Sequence, residues 1–164
     1  MTWPTVELDR VAQLRVLARA LSGVALEERT IAAPFRVVWD FVADLPNSVP
    51  QFDRDVASIE ILERDGDRLK IISRPPHVPI PFKLDVELHE GWCWMVARPQ
   101  LYVVGMAAEP AGDHTHFAML EGISLAGPQV LRPMLDPISA VSRWRHRRHL
   151  PGDVDGIERA LGLR

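Results

Sequence analysis

The stretch "PFRVVWDFVADLPNSVPQF", residues 34–52, begins as a helix and ends as something else. Pro34 suits a first turn, where a missing N–H costs nothing. Val37, Val38, Phe41, Val42 and Leu45 then recur at helical spacing as one apolar stripe, with Trp39 beside it and Asp40 and Asp44 on wetter sides. Pro46 and Pro50, flanking Asn47 and Ser48, deny the following turns their hydrogen bonds, so the pattern predicts a short helix running into a rigid loop.

Upstream, residues 3–22 predict an amphipathic helix, because Leu8, Val11, Leu14, Leu17 and Leu21 recur every three or four positions and Gly23 stops it. "VALEERTI", residues 24–31, is of strand length. Downstream the chain turns to β. Two strand-like runs within 55–73 meet at Asp65-Gly66-Asp67, a hairpin signal. "PFKLDVELHEG" alternates strictly, "WCWMVA" and "LYVVGMAA" are apolar on both faces, and "HTHFAMLEGIS" follows a Gly-Asp turn. Connections this short fit an antiparallel meander of six or seven strands. After Gly127 the helical period returns, with a short or kinked piece around Pro133, a longer helix from near Pro137, and a last turn or two at 153–162.

The 164 residues suffice for one domain with a sizeable core. A 47% hydrophobic and 25% charged composition excludes extensive disorder. No run approaches the roughly 18 apolar residues of a membrane span, and the beginning of the chain lacks a secretory pattern, so a cytoplasmic location is expected. Cys93 is the only cysteine, which excludes an intrachain disulfide, and its tryptophan neighbours mark it as a core residue. A net charge of −3 gives no case for nucleic acid.

"TIAAPFRVVWDFVADL", residues 30–45, and "VASIEILERDGDRLKIISRP", residues 56–75, resemble the polyketide cyclase/dehydrase branch of the START-like SRPBCC superfamily, whose members open with a strand, an Ala-Pro and a helix bearing Val-Trp. The resemblance runs in order over roughly 24–125. It implies an α+β helix-grip fold, a curved sheet around a long C-terminal helix and an apolar cavity, with 1–23 as an N-terminal helical extension and 24–164 as the domain. It also implies a hydrophobic small-molecule ligand and no cofactor or metal.

Within that frame Phe82, Leu84, Val86 and Leu88 share the dry face of one strand and are candidates to line the cavity. Phe117 and Met119 join them if His114 and His116 face water. Filling a core against the last helix demands the same chemistry. Glu121 keeps the phase of Phe117 and Met119, so an unbroken strand aims its carboxylate inward, where burial raises its pKa toward acid–base use, unless the strand end sits at the rim. Tyr102, the only tyrosine, lies in an apolar strand, where its hydroxyl either orients a carbonyl or finds a backbone partner. Arg74 and Arg98 each precede a proline at a strand end. The resemblance suggests an arginine that stabilises an enolate, and strand 82–89 supplies none, which leaves Arg74 as the candidate and a solvated place beside Arg68 and Lys70 as its plainer reading.

His114 and His116 share a strand face but lack an evident third metal ligand. "RWRHRRH", residues 143–149, covers most of a helix circumference. Through Arg143, Arg145, Arg147 and Arg148 it suits docking of an acidic acyl carrier protein or an anionic surface, or simply a solvated helix end where cations meet the macrodipole. The expected function is cyclisation or dehydration of a polyketide-like substrate. A non-catalytic lipid or metabolite carrier, or an accessory protein docking an acidic partner, is the alternative.

Overall fold

The computed structural model describes residues 8–97, 102–124 and 132–164. Its elements follow in the order α1 (Arg10–Ala20), β1 (Val24–Ile31), α2 (Phe35–Ala43), α3 (Leu45–Phe52), β2 (Ser58–Asp65), β3 (Arg68–Arg74), β4 (Phe82–His89), β5 (Trp92–Ala97), β6 (Tyr102–Ala111), β7 (His114–Ile123) and α4 (Arg132–Ala160). The seven strands form one curved antiparallel sheet in the order β1-β7-β6-β5-β4-β3-β2. Every neighbouring pair from β2 to β7 is consecutive in the chain, so short turns suffice, and Gly66 takes φ 57 in the predicted hairpin. The long step lies between β1 and β2, which α2 and α3 fill.

The stretch 34–52 is two helices, not a helix and a loop. Asp44 restarts the chain by accepting the N–H groups of Asn47 and Ser48 at 3.0 and 2.8 Å. Pro46 then falls in a first turn, where its missing donor is not needed. The α2 stripe is Val38, Trp39 and Val42, whereas Val37 is 49% exposed. The C-terminal segments expected as separate pieces are likewise one helix, α4, that continues through Pro137 and Pro151. Leu150, Val154 and Ile157 straddle Pro151 and are buried together, which outweighs one absent backbone bond.

Two apolar clusters sit on opposite faces of the sheet. The inner one joins Leu69, Ile71, Leu84, Val86, Leu88, Met95, Met106, Phe117 and Met119 to residues of α2, α3 and α4. The outer one sets Val11 and Leu14 of α1 against Trp92, Val103, Ala107, Ala118 and Leu120. This explains why β5 and β6 are apolar on both faces, since both are covered. α1 is capped by Asp9, which accepts the Ala12 N–H at 2.6 Å, and is held to β1 by a two-pronged Arg15–Glu28 pair at 2.8 and 2.7 Å.

α4 packs on β1, β7 and α3, while α3 packs on β2. The helices therefore reach both edges of the sheet, with the inward side chains of β3–β6 beneath them. Arg29 of β1 ties down the far end of α4 through Asp155 and Glu158. Among the described residues no helix is long and apolar enough to cross a membrane.

Candidate functional site

The inward face of α4 is polar along much of its length. Ser139, Ser142, His146, His149 and Asp153 follow one another at intervals of three or four residues and so share a stripe. All but His149 are buried, and His149 is half-buried. Ser142 pins this helix to the sheet, since its hydroxyl donates to the Gly23 carbonyl at 2.8 Å and accepts from the Ile123 N–H at 3.0 Å. Where the chain enters β1 it lies tight against the end of β7 and needs glycine on both sides, because a Cβ on Gly23 would lie 2.0 Å from the Ile123 carbonyl oxygen and one on Gly122 2.3 Å from that of Gly23.

Next to this junction stands Glu121, 2% exposed and pointing inward with Phe117 and Met119. Tyr102, on the adjacent strand, donates its hydroxyl to Oε1 of Glu121. His146 Nε2 lies 3.6 Å from that oxygen. His146 Nδ1 donates to the Ser142 carbonyl at 2.7 Å, and because a carbonyl can only accept, the neutral ring presents an Nε2 lone pair toward Glu121. Oε2 of Glu121 has no hydrogen-bond partner among the described residues.

Burial dominates the electrostatics. It pushes the Glu121 carboxyl from the ordinary 4.5 up to about 7, against the Tyr102 hydrogen bond that favours the anion. Burial likewise lowers His146 below the ordinary 6.5, opposed by the Ser142 carbonyl, and raises Tyr102, with Glu121 adding to the effect. Burial therefore favours the neutral form of both groups, carboxylic acid and imidazole. Such a pair accepts a proton at one end and supplies one at the other at little cost.

A second polar group borders the first. Asp53 caps α3, its N–H bonded to the Val49 carbonyl at 2.9 Å, and its Oδ1 accepts the Asp55 N–H at 2.8 Å. His149 Nε2 lies 3.6 Å from Asp53 Oδ1 and 3.2 Å from Asp153 Oδ2. Interaction with Asp53, foremost, raises the His149 pKa, while burial raises that of Asp153.

The sequence candidates separate accordingly. Glu121 and Tyr102 come together, and Leu84, Val86, Leu88, Phe117 and Met119 line the inner face. Phe82 does not join them, for it is 47% exposed at the start of β4, where the strand overhangs the core. Arg74 lies on the outer hairpin, exposed and paired with Glu60 at 3.0 Å, and is not brought to Glu121. Arg98 lies outside the described residues. His114 and His116 turn to different partners, Asp113 and Glu28. The four arginines at 143–148 are exposed, whereas His146 and His149 of the same run turn inward. These two histidines, Asp53 and Asp153 were not singled out in the sequence, although the stripe from Ser139 to Asp153 was there to be read.

No family model matches the chain. A protein named "Putative polyketide cyclase" from Streptomyces halstedii is 44% identical over 50 residues, which is 30% of this chain and 45% of that protein. The match thus spans under half the length of that relative. Among solved structures, the Zhui aromatase/cyclase from Streptomyces sp. R1128 superposes with a TM-score of 0.59 at 14% identity, covering 85% of this chain and 93% of the other. A START superfamily protein from Mycobacterium smegmatis gives a TM-score of 0.57 at 17% identity, covering 84% and 98%. With its curved seven-stranded sheet and long C-terminal helix, and on these likenesses, the chain has a START-like helix-grip fold.

Proposed function

We propose that the chain binds a hydrophobic, polyketide-like molecule between α4 and the inner face of the sheet and promotes its cyclisation or dehydration. The observation that carries this reading is the buried Glu121 carboxyl, bonded to Tyr102 and facing the free nitrogen of His146. The likeness of one segment to a polyketide cyclase supports the substrate class.

The chemistry asks little beyond these groups. His146 Nε2 removes a proton from a methylene between two carbonyls. The resulting enolate attacks a second carbonyl of the same chain, forming the C–C bond, and Glu121 protonates the new alkoxide. Glu121 is then the anion and His146 the cation, and return of the proton restores both. Loss of water follows when the adjacent C–H proton and the hydroxyl leave together. Tyr102 fixes the Glu121 carboxyl through its hydroxyl, and the apolar walls fold the chain so that its reacting carbons meet.

The test is turnover of a linear poly-β-ketone thioester. Glu121→Gln should lower kcat/KM by about a hundredfold or more, the lower end of what a general acid contributes, while ligand affinity holds. Turnover unchanged in this variant would remove the acid–base reading. Tight binding without turnover by the unaltered protein would make it a carrier.

A second reading concerns delivery. Ile138, Val141 and Trp144 are 50%, 65% and 57% exposed on the outer side of α4, and Arg148 stacks 4.2 Å from the Trp144 ring. This basic, apolar face suits an acidic acyl carrier protein. Arg145 is engaged with Asp55 at 3.1 Å and Arg143 with the Ser22 carbonyl, so Arg147 and Arg148 bear most of the role. Charge reversal at Arg145, Arg147 and Arg148 should abolish carrier binding, and unchanged binding would end this reading.

A further inference from the structure

We propose that Asp53, His149 and Asp153 form a binding site for a divalent transition-metal ion, a site separate from the Glu121–His146 pair and independent of the chemistry proposed for it. One donor atom from each residue lies within 4.8 Å of the other two. His149 Nε2 is 3.2 Å from Asp153 Oδ2 and 3.6 Å from Asp53 Oδ1. A tetrahedral ion with bonds of about 2.0–2.1 Å holds its donors roughly 3.3–3.4 Å apart, so these separations match the edges of such a polyhedron.

The second observation is the state of the donors. Asp153 is 2% exposed, yet its Oδ2 has no hydrogen-bond partner, and neither has His149 Nε2, among the described residues. A buried carboxylate oxygen without a donor is costly, and a cation between it and the imidazole removes that cost. Local charge points the same way. Asp53, Asp55, Asp153 and Glu121 gather around His149, with Arg145 held at the outer edge by Asp55.

The donor set selects the ion. One imidazole and two carboxylates suit Zn2+ or Mn2+ better than Ca2+ or Mg2+, which prefer all-oxygen shells. His149 and Asp153 stand four residues apart on α4, and Asp53 is fixed at the end of α3 by its backbone bond to Val49, so a bound ion joins the two helices. Three protein ligands leave one position for water or an oxygen of a guest.

Chelator-treated full-length protein should bind one Zn2+ per chain by titration calorimetry. His149→Gln and Asp153→Asn should each weaken that affinity by about a hundredfold, with folding checked by circular dichroism. His114→Ala, which disrupts the exposed Asp113–His114 pair, should leave it unchanged. Absence of stoichiometric binding, full affinity in both inward variants, or loss only with His114→Ala would overturn the proposal. Should the inward variants not fold, Mn2+ added to the unaltered protein decides. Selective broadening of the His149 and Asp153 resonances supports the site, and broadening confined to His114 refutes it.

Discussion

Replacing Glu121 by glutamine should make the protein more stable in alkaline solution and leave it no more stable in acid. The native carboxyl holds its proton up to about pH 7, whereas in the unfolded chain it releases it near 4.5. Between those values the native state binds the extra proton, so stability is full below about pH 4.5, falls as pH rises to about 7, and is level thereafter. At about 1.4 kcal/mol per pH unit, the span from 4.5 to about 7 costs the native protein roughly 3 kcal/mol. Glutamine does not titrate, keeps an oxygen for the Tyr102 hydroxyl, and replaces the unpartnered Oε2 by a donor. The raised value already includes the Tyr102 hydrogen bond, so the variant should gain roughly 3 kcal/mol at pH 8 and nothing at pH 4.5. Urea unfolding at both pH values, with a chelator present, measures this. A stability difference that is the same at both would show that Glu121 is not held protonated by burial.

Two glycines of α4 give opposite expectations. A Cβ on Gly156 would lie 2.8 Å from Cα of Phe52, so Gly156→Ala should cost about 1–3 kcal/mol by forcing α3 away, whereas Gly152 meets nothing within 4 Å and Gly152→Ala should add about 0.5–1 kcal/mol, both read by thermal melting. Leu14→Ala should cost about 2–5 kcal/mol, because Leu14 is fully buried against the outer face, and denaturant unfolding checks it. Cys93 is buried and its thiol is pushed up to about 12, so an aromatic disulfide reagent should label it only after denaturation.

Glu121 was legible in the sequence because the period of a strand is two: once Phe117 and Met119 are dry, Glu121 has to follow them inward. The same rule placed Leu84, Val86 and Leu88, and failed for Phe82 because alternation says which face a residue takes but not where the opposite layer ends. The histidines were hidden for another reason. In "RWRHRRH" the arginines dominate, and a helix run of that density has no single face until Ser139, Ser142 and Asp153 are added on either side. Asp53 was beyond reach, since its position depends on α3, which two prolines disguised as a loop, and on the close contact that Gly156 permits with Phe52. The outer layer did leave a trace: β5 and β6 are apolar on both faces, which requires a second cover, and Val11 and Leu14 supply it.

The two halves of the proton pair belong to different parts of the molecule, the carboxyl to a strand and the imidazole to a helix. Any swing of α4 away from the sheet therefore separates the imidazole from its acid. If the proposed chemistry holds, helix and strand have to close on a guest before a proton can move between them.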